Sequence, residues 1–475
     1  MKLRFAWLAA LLVIAAACGD DPVGGGGGEL SISADTTYVA AAETVQLGAS
    51  AGGVAWRSLD EPVATVSASG LVTGRRVGAA RIVAEAGGRA DTIRINVTPS
   101  PRRALAAGNF HACALDVEGK AHCWGANQAG QLGNGTTAGS ATPVAVSGGL
   151  TFESIDAGLH TTCAVTPGGD AYCWGAGTRG QLGNGDFANS SVPVKVAAPA
   201  PLASVSVGGY EVACALGRDG TAYCWGANVT GSAGTGDKLS RATATPVSTD
   251  LKFASVSAGL VQSCALTADG TAYCWGANSL QTLGTGDTAE RLRPAAVAGG
   301  LRFSALSAGS VTTCAVATSG GAYCWGSNHF GNLGAGSQGN LGAVGLTPSR
   351  VVGNAGFARV TAGAENQSLT PTCLLTGAGQ AYCMGASSAG QLGTTATTET
   401  CILSINNPFG CSSTPLAVEG GLTFETVEIG ALYACGLTPD GRVFCWGAYP
   451  YGELDVQAGP RTPTPTRIAA TLRLP

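Results

Sequence analysis

The fold of this chain is decided by one segment, Cys163-Ala164-Val165-Thr166-Pro167-Gly168-Gly169-Asp170-Ala171-Tyr172-Cys173-Trp174-Gly175. It joins a short apolar strand, a turn and an aromatic-Cys-aromatic-Gly strand, with two cysteines ten residues apart. The frame occurs seven times, and its first cysteines recur at intervals of 50, 51, 50, 50, 59 and 62 residues. The pairs are Cys113 with Cys123, Cys163 with Cys173, Cys214 with Cys224, Cys264 with Cys274, Cys314 with Cys324, Cys373 with Cys383, and Cys435 with Cys445. Such a period indicates one structural unit copied along residues 101–475.

Each copy divides into four short strands, which in one copy fall at residues 193–196, 203–207, 214–216 and 222–226. A four-stranded unit of about 50 residues predicts a β-propeller blade rather than a helical solenoid. The fold class is therefore all-β, a seven-bladed β-propeller preceded by a smaller β-sandwich. The chain enters at a second strand near 103–105 and ends with a first strand near 466–468. We expect these two ends to share one blade and so close the ring.

The cysteines of each pair should lie opposite each other on antiparallel strands, because the turn between them centres on residues such as Asp219 and Gly220. That geometry suits a disulfide. Cys401 and Cys411 have the same spacing and form an eighth predicted pair. Zinc and iron-sulfur sites use closer pairs, which the repeats lack, so we predict no metal and no cofactor.

The N-terminus has the composition of a targeting segment. Lys2 and Arg4 precede an apolar run of residues 5–17, which is too short to span a bilayer. The run Ala15-Ala16-Ala17-Cys18 resembles a bacterial lipoprotein signal, which implies lipidation of Cys18 and export to the cell envelope, with Gly19 pointing to the outer membrane. An ordinary cleaved signal is the alternative. Residues 19–28 end in five consecutive glycines, residues 24–28, and predict a flexible tether.

Residues 29–99 alternate apolar and polar side chains in short strands, as in a small β-sandwich. The stretches Val54-Ala55-Trp56-Arg57-Ser58 and Ser69-Gly70-Leu71-Val72-Thr73-Gly74 resemble the group 2 bacterial Ig-like domain. That resemblance implies a spacer or adhesive module, with Trp56 in the core.

The residues around the cysteines resemble the regulator of chromosome condensation repeat family. The matching residues of one copy are Gly158-Leu159-His160-Thr161-Thr162-Cys163-Ala164-Val165, Gly169-Asp170-Ala171-Tyr172-Cys173-Trp174-Gly175 and Gly180-Gln181-Leu182-Gly183-Asn184-Gly185. Met384 replaces the tryptophan in copy six, and residues 452–455 break the Gly-Gln-Leu-Gly turn in copy seven. The resemblance implies the propeller fold. It does not carry over the nuclear exchange activity of the family, because fold alone does not set function.

Composition excludes some functions. Charged residues are 12 % of the chain, the net charge is −4, and no basic stripe exists, so nucleic acid is not an expected partner. The four histidines share no repeat position, and no catalytic motif is present, so we predict no catalytic residue. The six repeat tryptophans could stack on sugars, but their fixed position favours packing between blades. Asp186, Asp237 and Asp287 could bind calcium, although turn capping is favoured.

Loop length gives the candidate binding face. The cysteine hairpins do not vary in length, whereas copies five to seven carry insertions at 337–346, 364–370 and 394–414. Antiparallel strands place these insertions on one face, and long loops on a rigid scaffold often carry recognition. Neutral variation is the alternative. The predicted face comprises Phe330, Gln338, Asn340, Glu365, Asn366, Gln367, Asn406, Asn407, Phe409 and Tyr449.

These features give three hypotheses. The first is a monomeric, membrane-anchored binding or adhesion protein that presents this face to a protein or polysaccharide. The second is a secreted enzyme inhibitor, since the repeat is similar to a propeller that blocks β-lactamase. The third is a polysaccharide-degrading enzyme, which would require clustered acids near the ring axis.

Overall fold

The computed structural model describes residues 30–34, 38–40, 44–74, 78–98, 105–116, 118–209, 211–337, 344–353, 356–363, 369–397, 399–402, 408–448 and 461–468. Its regular elements are all strands, and no helix of the described residues is long and apolar enough to cross a membrane. Contacts divide the chain into two units, residues 1–100 and 101–475. The predicted signal, Cys18 and the glycine tether lie outside the described residues.

The first unit is a β-sandwich of two four-stranded sheets, with strand orders β1-β3-β6-β5 and β2-β8-β7-β4. Its strands are β1 (Ile32–Ala34), β2 (Tyr38–Ala40), β3 (Thr44–Ala49), β4 (Ala55–Ser58), β5 (Ala64–Val66), β6 (Leu71–Gly74), β7 (Gly78–Ala86) and β8 (Arg89–Thr98). Alternate side chains, including Leu47, Val72 and Ile82, point inward and form the core. Trp56 packs against that core and is half-buried.

The second unit contains seven antiparallel sheets, which we name blades 1 to 7, with strands a to d in chain order. Blades 1 to 3 are β9 (Leu105–Ala107), β10 (His111–Leu115), β11 (Ala121–Gly125) and β12 (Ser140–Ala145); β13 (Ser154–Ala157), β14 (Thr161–Val165), β15 (Ala171–Gly175) and β16 (Ser190–Lys195); and β17 (Leu202–Val207), β18 (Val212–Gly217), β19 (Ala222–Gly226) and β20 (Arg241–Pro246).

Blades 4 and 5 are β21 (Phe253–Ala258), β22 (Gln262–Thr267), β23 (Ala272–Gly276) and β24 (Arg291–Ala296), then β25 (Phe303–Ala308), β26 (Thr312–Ala317), β27 (Ala322–Ser327) and β28 (Val344–Arg350). Blade 6 has five strands, β29 (Phe357–Ala362), β30 (Thr372–Thr376), β31 (Ala381–Ala386), the additional β32 (Glu399–Ile402) and strand d, β33 (Pro408–Ala417). Blade 7 is β34 (Thr426–Ile429), β35 (Tyr433–Leu437), β36 (Val443–Ala448) and β37 (Arg461–Arg467).

All eight predicted cysteine pairs are joined as disulfides in the structure. Seven of them link strands b and c of one blade at directly opposed positions, and their Cα atoms are 4.0 to 4.1 Å apart. These seven are Cys113 with Cys123, Cys163 with Cys173, Cys214 with Cys224, Cys264 with Cys274, Cys314 with Cys324, Cys373 with Cys383, and Cys435 with Cys445. All fourteen sulfur-bearing side chains are buried, so these cysteines act within the blades and do not form part of a binding surface.

The turn of each hairpin aligns its two strands so that the sulfur atoms meet. In blade 3, Asp219 Oδ1 accepts a hydrogen bond from the Thr221 N–H at 3.0 Å, and Gly220 has a φ of 81°. Glycine adopts this left-handed conformation without a steric cost, which explains its place in the turn.

The repeat tryptophans hold neighbouring blades together. The indole Nε1–H of Trp174 in blade 2 donates to the carbonyl of Gln131 in blade 1 at 2.9 Å. A Cβ on Gly133, which has a φ of 67°, would lie 2.7 Å from that nitrogen, so only glycine leaves room for the indole. Equivalent bonds of 2.9, 2.8, 2.9 and 3.1 Å join Trp225, Trp275, Trp325 and Trp446 to the carbonyls of Gln181, Ser232, Thr282 and Gln391. The predicted packing role of these tryptophans agrees with their burial.

The predicted division of the repeat into blades is wrong. The strand at 190–195 pairs with the cysteine strand before it, at Ala171–Gly175, and so is the fourth strand of its own blade. A cyclic repeat can be divided at either of its two long links, and sequence periodicity alone does not choose between them.

The ring therefore closes without a shared blade. Strand β9 belongs to blade 1 and β37 to blade 7, and the two blades meet through a mixed core that includes Leu105, Trp124 and Ile468. The Tyr433 hydroxyl of blade 7 lies 2.8 Å from the Gly108 carbonyl oxygen and 2.7 Å from the His111 carbonyl oxygen of blade 1. Side-chain packing and this phenol replace the expected strand pairing.

Replacing Tyr433 with Phe should lower the stability of the ring, because it removes a buried hydrogen bond between the first and last blades. We expect a loss of about 1–2 kcal/mol, measured as a lower midpoint of thermal or urea unfolding. Tyr323→Phe is the matched control, since the half-buried Tyr323 hydroxyl has no hydrogen bond with the described residues. Equal midpoints for the two variants would contradict closure through Tyr433.

Candidate functional site

The links between strands emerge on two faces. The face with the a–b and c–d links is named the long-loop face; its c–d links are residues 126–139, 176–189, 227–240, 277–290, 328–343, 387–407 and 449–460. The face with the b–c turns, which are the cysteine hairpins, is named the hairpin face. All three predicted insertions belong to links of the long-loop face, because adjacent strands run in opposite directions.

Most of the predicted binding residues lie outside the described part of the chain. They are Gln338, Asn340, Glu365, Asn366, Gln367, Asn406, Asn407 and Tyr449. The prediction that Phe330 contributes to the binding face is wrong, because its side chain is only 1 % exposed. Its ring packs edge to face with Phe409 at 5.2 Å and lies in one apolar cluster with Leu369, Cys401 and Cys411. Phe409 is half-buried and remains a predicted contact residue.

This cluster anchors the largest insertion. Strands β32 and β33 form a hairpin that adds a fifth strand to blade 6, and the disulfide between Cys401 and Cys411 joins them with a Cα separation of 5.9 Å. Phe330 enters the cluster from blade 5 and Leu369 from the a–b link of blade 6. The hairpin therefore rests on two neighbouring elements of the long-loop face. Residues 408–414, assigned to the insertion from sequence, belong instead to strand d of the blade.

Large apolar side chains are exposed on the same face. We name as the apolar crown the five that lie in c–d links, which are 40 to 67 % exposed: Phe187, Val229, Leu239, Leu280 and Ile402. The described parts of the cysteine hairpins carry no exposed large apolar side chain. The remaining three of the propeller, Val192, Leu346 and Val352, lie in or just after fourth strands. The crown spans blades 2, 3, 4 and 6.

The three aspartates that the sequence offered as possible calcium ligands accept hydrogen bonds within their own turns. Asp237 Oδ1 accepts the Leu239 N–H at 3.1 Å, and its other oxygen accepts from Arg241 at 2.6 Å. Arg241 thereby holds the pKa of Asp237 below its usual range. Asp287 and Arg291 repeat this arrangement in blade 4, and Asp186 caps the turn at Phe187. Among the residues that the structure describes, no group of three or more His, Cys, Asp or Glu side chains could hold a metal ion.

The inner strands of all seven blades line one axial channel, a cavity of about 290 Å³. At the position facing the first cysteine, blades 3, 4 and 5 carry Ser206, Ser257 and Ser307. Each serine hydroxyl accepts the backbone N–H of the next blade, at 3.1, 3.0 and 3.0 Å. These hydroxyls link the blades around the axis.

Two acids occupy the same position in blades 2 and 7, and blade 1 between them has Ala106. Asp156 Oδ2 accepts the Val207 N–H at 2.8 Å, and Glu428 accepts from the Thr426 hydroxyl at 2.6 Å. Sequence reasoning missed these acids near the axis. A signal was available, because both stand seven residues before the first cysteine of their copy, where copies one, four and five have Ala or Ser.

Burial in the channel raises the pKa of Asp156 to about 6 and that of Glu428 to about 7, and the nearby Asp156 carboxyl adds to the second shift. Burial also lowers the pKa of His111 to about 3; its Nε2 lies 2.7 Å from the Thr162 hydroxyl across blades 1 and 2. His111 is thus a neutral core side chain at neutral pH.

The raised acid pKa values predict a pH effect on stability. An acid whose pKa is higher in the folded state stabilises fully below its unfolded value, and that stability is lost as pH rises through the folded value. The loss should run from about pH 4 to about pH 7 and reach on the order of 3 kcal/mol, allowing for water in the channel. The double variant Asp156→Asn with Glu428→Gln should be more stable than the natural protein at pH 8 and similar at pH 4.

Unfolding midpoints between pH 4 and pH 8 test this prediction. Glu290→Gln is the control, because Glu290 is an exposed partner of Lys238 outside the channel. The lowered pKa of His111 acts in the opposite direction at low pH and is common to all variants. A double variant with the same pH profile as the natural protein would show that the channel acids do not titrate as proposed.

Comparison with known proteins agrees with this architecture. A model described as bacterial Ig-like domain (group 2) matches residues 28–94. Two models described as regulator of chromosome condensation (RCC1) repeat match residues 118–165, 168–215 and 269–316, and residues 103–131, 152–181, 253–280 and 303–332.

Solved propellers share the fold at low sequence identity. Prp20p from Saccharomyces cerevisiae is 20 % identical, with a TM-score of 0.63, over 78 % of this chain and 88 % of that one. Human WBSCR16 is 19 % identical, with a TM-score of 0.61, over 74 % and 94 %. Yeast RCC1 (Prp20) bound to Kap60 is 19 % identical, with a TM-score of 0.58, over 69 % and 78 %. The chain therefore combines a group 2 bacterial Ig-like domain with a β-propeller built from repeats of the regulator of chromosome condensation (RCC1) family.

Proposed function

We propose that the chain is an exported binding protein that recognises a protein partner through its long-loop face. The observation that carries this proposal is the apolar crown, which lies on one face of the propeller. Grouped apolar exposure on a folded domain marks an interaction surface, because water would otherwise contact it at a free-energy cost. A protein partner with its own apolar patch would cover the crown.

The disulfide-linked β32–β33 hairpin of blade 6 also favours the long-loop face as the binding surface. Its disulfide and the Phe330 cluster hold strands β32 and β33 together before a partner arrives. A pre-ordered loop loses less conformational entropy on binding, so more of the contact energy appears as affinity. Yeast RCC1 (Prp20), which has a similar fold, is found in a complex with Kap60.

The proposed cellular location of the protein rests on its disulfides and on the predicted N-terminal signal. Eight disulfides and a bacterial Ig-like domain indicate export to an oxidising compartment. We propose further that lipid on Cys18 anchors a monomer to the outer membrane and that the glycine tether and the Ig-like domain hold the propeller away from the bilayer.

The alternatives have less support from the described residues. The six repeat tryptophans are buried and offer no ring to stack on a sugar, which disfavours a polysaccharide ligand. An inhibitor of an enzyme would be a special case of protein binding through this face. For a polysaccharide-degrading enzyme, Asp156 and Glu428 lie near the axis, but each already accepts a hydrogen bond within the fold.

Substitution of the crown tests the proposal. The intact chain is immobilised, proteins captured from a bacterial envelope extract are identified by mass spectrometry, and the affinity of each purified candidate is measured. The double variant Phe187→Ser with Leu239→Ser should lower the affinity for a true partner at least tenfold. Apolar side chains that are buried at an interface contribute about 1.4 kcal/mol or more to binding. These exposed residues should change folding little.

Leu59→Ser in the Ig-like domain is the matched control, since Leu59 is 43 % exposed and lies outside the propeller. A partner that binds the crown variant as tightly as the natural chain would overturn the choice of face. A second variant that lacks 399–407 and carries Cys411→Ser, so that no unpaired thiol remains, removes the hairpin together with Ile402. It leaves Phe187, Leu239 and strand d of blade 6 in place, and so separates the contribution of the hairpin from that of the other crown residues.

A further inference from the structure

A second concave surface lies on the hairpin face, between blades 6 and 7. It is a cleft of about 580 Å³, lined by the 377–379 turn of blade 6, the start of blade 7 including the acid Glu425, and the guanidinium-bearing side chain of Arg359. A narrower cavity of about 170 Å³ shares Arg359 and Thr426 with this cleft and ends at Glu428. Glu428 also lines the axial channel, so the narrower cavity has lining residues in common with both the cleft and the channel.

Arg359 breaks the repeat at this place. The equivalent position at the start of strand a carries a small residue in the other described blades: Ser154, Ser204, Ser255, Ala305 and Thr426. Only blade 6, of the described blades, places a long cation there, opposite Leu375. Packing does not explain an arginine at this position, because the Arg359 side chain is exposed.

The guanidinium of Arg359 also has no hydrogen bond or ion pair with another described residue. Two other exposed cations on the hairpin face are paired, Lys252 with Asp219 at 2.8 Å and Arg302 with Asp269 at 3.3 Å. Glu428 is close enough to Arg359 to have its pKa lowered slightly by it, but burial dominates and raises that pKa overall. The planar fork of Arg359 is therefore available to a ligand.

We propose that this cleft binds a small ligand with one carboxylate and otherwise uncharged hydroxyl groups, of the size and chemistry of a sugar acid. The Arg359 fork matches a carboxylate through two parallel N–H···O bonds. Thr376, Thr423 and Thr426 line the cleft. The Thr426 hydroxyl donates to Glu428 and keeps lone pairs that can accept from a ligand hydroxyl, and the Thr376 hydroxyl accepts from the Gln380 N–H and keeps a proton that it can donate. A volume of about 580 Å³ is within the range of small-molecule sites.

Titration of the intact chain with D-glucuronate, D-glucose and glycine tests the proposal by calorimetry or ligand-observed NMR. Glucuronate should bind saturably, glucose should bind at least tenfold more weakly, and glycine should not compete. Arg359→Ser introduces the residue found at this position in blades 2 to 4. It should weaken glucuronate binding by about tenfold or more, because charge-assisted hydrogen bonds between a guanidinium and a carboxylate are stronger than neutral ones. The glucuronate affinity of Arg359→Lys should lie between that of the natural chain and that of Arg359→Ser.

Arg302→Ser is the matched control, because it removes one cation from the same face and should change glucuronate binding less than twofold. The proposal is overturned if glucuronate does not saturate the natural chain, if Arg359→Ser binds it equally well, or if glycine binds more tightly. An unchanged unfolding midpoint shows that the variant is folded. The crown variant, Phe187→Ser with Leu239→Ser, should bind glucuronate normally, so this result is independent of the protein-binding proposal.

Discussion

The hydrogen bond from a repeat tryptophan to a carbonyl of the preceding blade, which the described residues show for Trp174, Trp225, Trp275, Trp325 and Trp446, is the constraint on which the propeller depends. The indole of Trp174 reaches the Gln131 carbonyl only because Gly133 has no side chain. The Gly-Gln-Leu-Gly turn thus supplies both the acceptor and the space for its neighbour. In blade 6 Met384 stands in place of the indole, and its sulfur fills the space beside Gly334 without a donor. The flexible thioether keeps the packing where the hydrogen bond is lost.

The sequence predicted the features that are local to one repeat. Opposed cysteines, tight turns and buried tryptophans follow from the spacing within about 15 residues, and the structure has all three. Features that depend on contacts between repeats were not accessible in this way. The division into blades needed the pairing of β15 with β16, and ring closure needed the contact between Tyr433 and blade 1, over 300 positions earlier. Phe330 was assigned to a surface because its partner Phe409 lies far along the chain, in strand d of blade 6.

Departures from the repeat are the most informative residues for function. A repeat that serves only to build the ring would keep a small residue at each inner position, as Ser206, Ser257 and Ser307 do. Asp156 and Glu428 depart from this pattern at the inner position, and Arg359 departs from the small residue that other blades carry two positions earlier in strand a. All three line the axial channel or the cavities beside it. Because each inner strand sits at the same height in its blade, a change at one repeat position places the new side chain in a known location. Comparing equivalent positions therefore locates candidate sites even where no catalytic motif exists.

The disulfides explain why one face can vary while the other does not. Each cysteine pair closes a ring of about eleven residues that includes the b–c turn, so a length change there would move the two sulfur atoms out of register. The c–d links lie outside these disulfide rings. Each link contacts the tryptophan of the next blade through the Gly-Gln-Leu-Gly turn, or its equivalent, near the start of the link. Residues after that turn can be added without disturbing either the disulfide or the tryptophan contact. The β32–β33 hairpin is such an addition, and it has its own disulfide and apolar cluster to order it. The covalent pattern of the blade thus concentrates variation on the long-loop face, which is the face we propose for partner binding.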